Sequence, residues 1–310
     1  MPRSSEHLSN FGVSLAWLLR FAEEHQLRQR RLTTSQVVDE IVVPATAAAG
    51  RRRYAELLAA HRDPAQRSAL SAGRPFFLVS HAWARPFAET LDSLSQHFTP
   101  GEQRRWRRAD AAPLPALAPA EAFLWLDVFA IDQQDRSPMQ RADDLAELRE
   151  VAADAEETLL VLDAAATPLT RLWCLYEAWL AGRAAAAAAN AAAAAASAAA
   201  VSAGRLEPRA APALLEPALG LGGAAAFIDV DLHRAAVSEE ADRGRILAEL
   251  ASASAATASA ASAAADPGGL AAAGQQLREA LVAGLVTQLS VTGPLTPLPP
   301  PPLPPYPPAA

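Results

Sequence analysis

A chain of 310 residues with a formal charge of −7 lacks the positive face that a phosphate backbone demands, which excludes a general nucleic-acid binder. Its single cysteine excludes an internal disulfide framework and a thiolate zinc cage, and fits a reducing compartment. Every basic residue other than histidine is arginine, so there is no P-loop lysine, Schiff-base lysine or lysine nucleophile; the bias itself follows the GC-rich codons of Ala, Arg, Pro and Gly. The length suits one large domain or two small ones.

Residues 1–70 read as helical. "FGVSLAWLLRFAEE" carries Leu15, Leu18, Leu19 and Phe21 at helical spacing, and Arg20 and Glu23 interrupt it too soon for a signal peptide. "TTSQVVDEIVVPAT" offers Thr34 as an N-cap and Val37, Val38, Ile41 and Val42 as an apolar stripe, with Pro44 ending or kinking the helix. "RRRYAELLAAH" is a third short helix.

The pattern then changes. "PFFLVSHAW" (residues 75–83) opens on a continuous apolar run, as a strand buried on both faces does. A helix through Phe87, Leu91, Leu94 and Phe98 follows, then a polar, proline-rich loop over residues 99–120. "AFLWLDVFAI" (122–131) reads as a second strand and "TLLVLD" (158–163) as a third, with a helix through Leu145, Leu148 and Val151 between them. "LTRLWCLYEAWLAG" is the next helix. Residues 184–223 are an alanine-rich insert of low complexity. Its run 184–203 is too weakly hydrophobic for a membrane span. "AAFIDVDL" (225–232) reads as a fourth strand, "EEADRGRILAELA" and "QQLREALVAGLV" as later helices, and the tail 291–310 as exposed polyproline II. Strands alternating with helices predict an α/β domain over 71–290, a parallel sheet with helices on both faces, with "FFLVS" between "LWLDVF" and "LLVLD". A fifth strand is not visible. The chain reads as cytoplasmic, with neither membrane nor nucleic acid as a partner.

Ligands of parallel α/β sheets collect beyond the C-terminal strand ends. Those ends read Ser80-His81, then Asp127 with Asp132 beyond it, then Asp163. Either these residues converge on a site, or they cap the following helices where the chain returns to water; His81 reads as a cap or structural residue. At about 100° per residue, Leu172, Leu175, Tyr176 and Trp179 form one apolar arc with Trp173 and Leu180 at its edge. Glu177 lies one turn beyond Trp173, just outside that arc. A carboxyl there acquires a raised pKa and suits acid–base or cation-stabilising work; the alternative is a solvated flank residue. Cys174 reads as a buried, inert thiol. There is no G-x-G-x-x-G, which disfavours dinucleotide redox chemistry.

The order "FFLVSHAW", "FLWLDVFAIDQQD", "TLLVLDAAATPLTRLWCLYEAW" resembles the TIR-domain superfamily over residues 74–183, in particular TIR-like proteins of protist and algal type. Thr170, Trp173, Cys174, Leu175 and Glu177 resemble the W-C-L-x-E helix of plant TIR domains, with one extra residue between Thr170 and Trp173. The resemblance implies a flavodoxin-like sheet, a signalling module that self-associates, and NAD as a substrate rather than a cofactor, with no metal. It places the catalytic role of an NAD glycohydrolase on Glu177. Ser80, His81, Trp83, Asp127, Asp132 and Trp173 are then the candidates for holding the nucleotide. "FAIDQQDRSPM" departs from the family in lacking its Pro-Gly turn, which leaves both the loop interface and the pocket entrance open. The rival reading is a non-catalytic adaptor, with "PLPPPPLPPY" offered to an SH3- or WW-type aromatic groove.

Overall fold

The computed structural model describes residues 7–98, 117–135, 138–163, 165–199, 213–215, 230–237, 240–255 and 269–292. The polar loop, most of the alanine-rich insert and the proline tail fall outside the described residues. The fold is mixed α/β, with a mostly parallel sheet and helices both before and between its strands. The strands are β1 (Val13–Ser14), β2 (Phe77–His81), β3 (Phe123–Trp125), β4 (Glu157–Val161) and β5 (Ala213–Leu215), in the order β1-β3-β2-β4-β5. Only β1 runs antiparallel.

β2 sits at the centre, as its continuous apolar run predicts. All five of its residues are buried, and it pairs with β3 and β4 on either side. Helix Phe87–His97 buries Phe87, Leu91 and Leu94. Helix Leu172–Ala199 runs on through the first part of the alanine-rich stretch and buries the predicted arc Leu172, Leu175, Tyr176 and Trp179.

Four expectations are corrected. The apolar run 122–131 is a strand only over Phe123–Trp125; Asp127–Ala130 is a short helix. A short, mainly apolar run satisfies either conformation, and tertiary packing decides. The helical turn sends Phe129 into a ring cluster with Trp17, Phe21 and Tyr54 at centroid separations of 5.3, 5.2 and 5.5 Å.

The expected fourth strand also fails where it is described. Val230 to Leu232 form no strand, because the Asp231 carboxylate accepts from the amides of His233 and Arg234 and bends the chain into a turn. Residues 225–229 lie outside the described residues. The strand beside β4 is β5, from within the insert.

Thr33, not Thr34, is the N-cap. Its hydroxyl accepts from the Gln36 amide, and the Gln36 side chain accepts from the Thr33 amide, a complete capping box. Finally, Pro44 neither ends nor breaks the helical path. A π-helical turn over Val38–Val42 leads straight into helix Val43–Ala48, and Thr46 Oγ1 donates to the Val42 carbonyl at 2.9 Å. The wider turn accommodates a residue with no N–H to give. Among the described residues no helix is long and apolar enough to cross a membrane.

Candidate functional site

Three elements meet beyond the C-terminal end of β2. β2 itself ends in His81, with Ala82 and Trp83 next. The turn after β3 carries Asp127 into the first position of its short helix. Arg171 to Glu177 form the entry and first turns of helix Leu172–Ala199. They enclose a cavity of about 200 Å³. His81, Trp83, Asp127, Asp132, Trp173 and Glu177, predicted from sequence, all line it. Ser80 does not; its buried hydroxyl lies beside Glu177 and Cys174 without completing a well-formed hydrogen bond. Asp163 stays outside and does what a strand-end aspartate ordinarily does, accepting from the Thr167 amide at 2.8 Å.

Glu177 is 7 % exposed, so it is not a solvated flank residue. Burial, reinforced by the charge of Asp127, pushes its pKa up to about 8, against a small opposing pull from Ser80. Asp127 is raised less, to about 6. Burial lifts it too, but Oδ1 accepts from the Val128 amide at 2.8 Å and Oδ2 from the Trp83 indole at 2.9 Å, and both favour its anion. The pair therefore loses its first proton mainly from Asp127. At neutral pH the cavity holds one carboxylate and one carboxylic acid.

His81 is not a cap. It ends β2, six residues before the next helix, and only 5 % of it is exposed. Its Nε2 has no hydrogen-bond partner. Burial, and then the charge of Arg85, lower its pKa to about 4, so the ring is neutral at pH 7. Asp132 is spoken for. Oδ2 receives Arg52 Nε at 2.9 Å and Oδ1 the amides of Gln134 and Asp135, which together outweigh burial and hold its carboxyl below the usual range. Cys174 donates to the His81 carbonyl at 3.4 Å, and burial pushes its thiol far up, so it is inert.

Other lining residues were not among those expected from the sequence. Gln133 anchors the Asp127 turn by donating to the Asp127 carbonyl at 2.8 Å. Asp242 comes from a helix far along the chain and accepts from the Trp173 indole at 3.3 Å. Trp125 was visible only as a core residue of a strand. Arg171 directly precedes the aromatic helix and was legible in "TRLWC"; nothing local marks Asp242. Two acids of different acidity, a neutral imidazole with a vacant nitrogen and three indoles can bind a flat ring and favour positive charge beside it. Compared with known proteins, the chain matches no family model, no curated protein and no solved structure.

Proposed function

We propose that the chain is an intracellular TIR-like signalling module that self-associates and hydrolyses the N-glycosidic bond of NAD. The observation that carries this reading is the meeting of buried Glu177 and buried, neutral His81 with the half-buried Asp127 in one cavity beyond the C-terminal strand ends. Along the chain the parallel strands fall in the flavodoxin-like order, with β2 flanked first by β3 and then by β4, and ligands of such sheets sit where that order reverses.

The chemistry suits the residues. The C1′–N1 bond breaks with its electron pair going to the pyridinium nitrogen, so nicotinamide leaves neutral and needs no acid. The ribosyl carbon becomes oxocarbenium-like, and a carboxylate beside it lowers the barrier. Water adds to that carbon and gives its proton to a carboxylate. Asp127 supplies the charge at neutral pH, and Glu177 adds a second as pH rises through about 8.

The test is to incubate the protein with NAD at high protein concentration and measure nicotinamide by chromatography. Release is expected, with kcat/KM rising from about pH 6 towards about pH 8. Above about pH 8, where Glu177 is ionised, Glu177→Gln is expected to keep the fold and lose about 10²–10³ in rate, with a much smaller loss at about pH 6. A wild-type chain that releases nothing sinks the enzymatic reading and leaves the adaptor.

A further inference from the structure

We infer that the cavity recognises a small flat organic cation, an N-ribosyl or N-alkyl pyridinium, and gives no purchase to phosphate. Nicotinamide riboside should therefore satisfy it as fully as the dinucleotide. This rests on the hydrolase reading for its substrate class, but on separate observations for its specificity.

The first observation is the charge of the wall. Among the described residues, five that line the wall are carboxylic, Asp127, Asp132, Asp135, Glu177 and Asp242, against the one guanidinium of Arg171. Arg171 is itself engaged. Arg52, from the neighbouring loop, is committed to Asp132.

The second is the state of the donors. A phosphate needs N–H groups, and several of those near the cavity are taken. The indole N–H of Trp83 goes to Asp127, that of Trp173 to Asp242 and that of Trp125 to the Leu8 carbonyl. The amides of Val128, Gln134 and Asp135 are already given to Asp127 and Asp132. The indoles have only ring surface left to offer, which attracts cations. The third is His81 Nε2, buried, lining the cavity and unpartnered, the kind of group a carboxamide satisfies. Size agrees, because about 200 Å³ is below the roughly 300–1,000 Å³ of clefts that hold a whole drug-sized ligand.

A cation stabilises ionised neighbours, so its affinity follows their protonation. Asp127 and Glu177 ionise through about 6 and about 8 and strengthen binding as pH rises. His81 stays neutral above about 4, and the Cys174 thiol stays protonated. Asp132, Asp135, Asp242 and Arg171 also face the space.

The experiment titrates wild-type protein with 1-methylnicotinamide, nicotinamide riboside, nicotinamide, NAD and inorganic pyrophosphate, followed by tryptophan fluorescence and calorimetry at pH 6 and pH 8. The two small cations should bind about tenfold or more tightly than neutral nicotinamide, as expected of desolvated charge over aromatic rings. NAD should match nicotinamide riboside within about threefold, because phosphates without donors add nothing. Pyrophosphate should not compete. Glu177→Gln should weaken the cations at pH 8 and hardly at pH 6, where wild type already carries the proton. NAD binding more than about tenfold tighter than the riboside, or equal binding of nicotinamide and its cation, overturns the inference. Cation binding with no cleavage of any glycoside sinks only the hydrolase reading. NAD cleavage without riboside binding sinks only this one.

Discussion

A carboxyl shut away from water keeps its proton, and Glu177 makes stability depend on pH in a definite direction. Its folded pKa of about 8 stands above the ordinary 4.5, and that of Asp127, about 6, above 3.8. At Glu177 the folded chain therefore holds more protons than the unfolded one between about pH 4.5 and pH 8, while at His81 it holds fewer between about pH 4 and pH 6.5. The stability associated with Glu177 is fully present below about pH 4.5 and is lost as pH rises through about 8. The loss is on the order of a few kcal/mol, since a tenfold change in proton affinity corresponds to about 1.4 kcal/mol. Thermal melts of the unliganded protein should fall between about pH 6.5 and pH 8.5, above the range in which His81 titrates, and Glu177→Gln, which cannot ionise, should flatten much of that fall. A variant with the same slope as wild type would mean that the charge of Glu177 is solvated. Sequence spacing correctly set Glu177 beside an indole at the edge of an apolar arc. It could not choose between a wet flank and a buried site, because the wall that covers Glu177 comes from β2 and the turn after β3.

At the scale of elements, helix Leu172–Ala199 gives the sharpest test. Replacing an interior helical glycine by alanine ordinarily stabilises by about 1 kcal/mol. At Gly182 the sign should reverse. A Cβ there would lie 2.6 Å from Cβ of Ala280 on helix Leu270–Thr292. The two backbones would have to separate, at a cost of about 1–3 kcal/mol. Urea unfolding of Gly182→Ala should show the lower midpoint, and a raised midpoint would mean that the two helices do not meet there. The same helix shows how far periodicity reaches. The apolar arc was legible because each helical turn repeats a face. Its length was not, because alanine propagates a helix without marking where it ends.

At the scale of the whole molecule, the first 70 residues belong to the same core as the sheet. β1 pairs with β3, the Ser14 amide donates to the Ala69 carbonyl, and the Leu15 amide donates to the Ala122 carbonyl. Trp17, Phe21 and Tyr54 close over Phe129. The same segment holds the loop that carries Trp83, through the amides of Thr34 and Ser35 on the carbonyls of Arg85 and Trp83. A chain beginning at residue 71 should therefore lose cooperative unfolding and near-ultraviolet circular dichroism. A sharp two-state melt of that fragment would show that the sheet stands alone.

By itself the sequence determined the alternation of strands and helices, the central place of "FFLVS", the buried arc of the Trp173 helix and the presence of polar residues at the strand ends. Each of these is written in local periodicity or in the switch from apolar to polar along one segment. Tertiary structure decided the rest. Whether the run around Asp127 was strand or helix depended on the aromatic cluster that receives Phe129. The strand beside β4 came from an alanine-rich stretch with no pattern of its own. The acidity of Asp127 and Glu177, the neutrality of His81 and the arrival of Asp242 depend on burial and on contacts between residues far apart in the chain, and no window of sequence contains them.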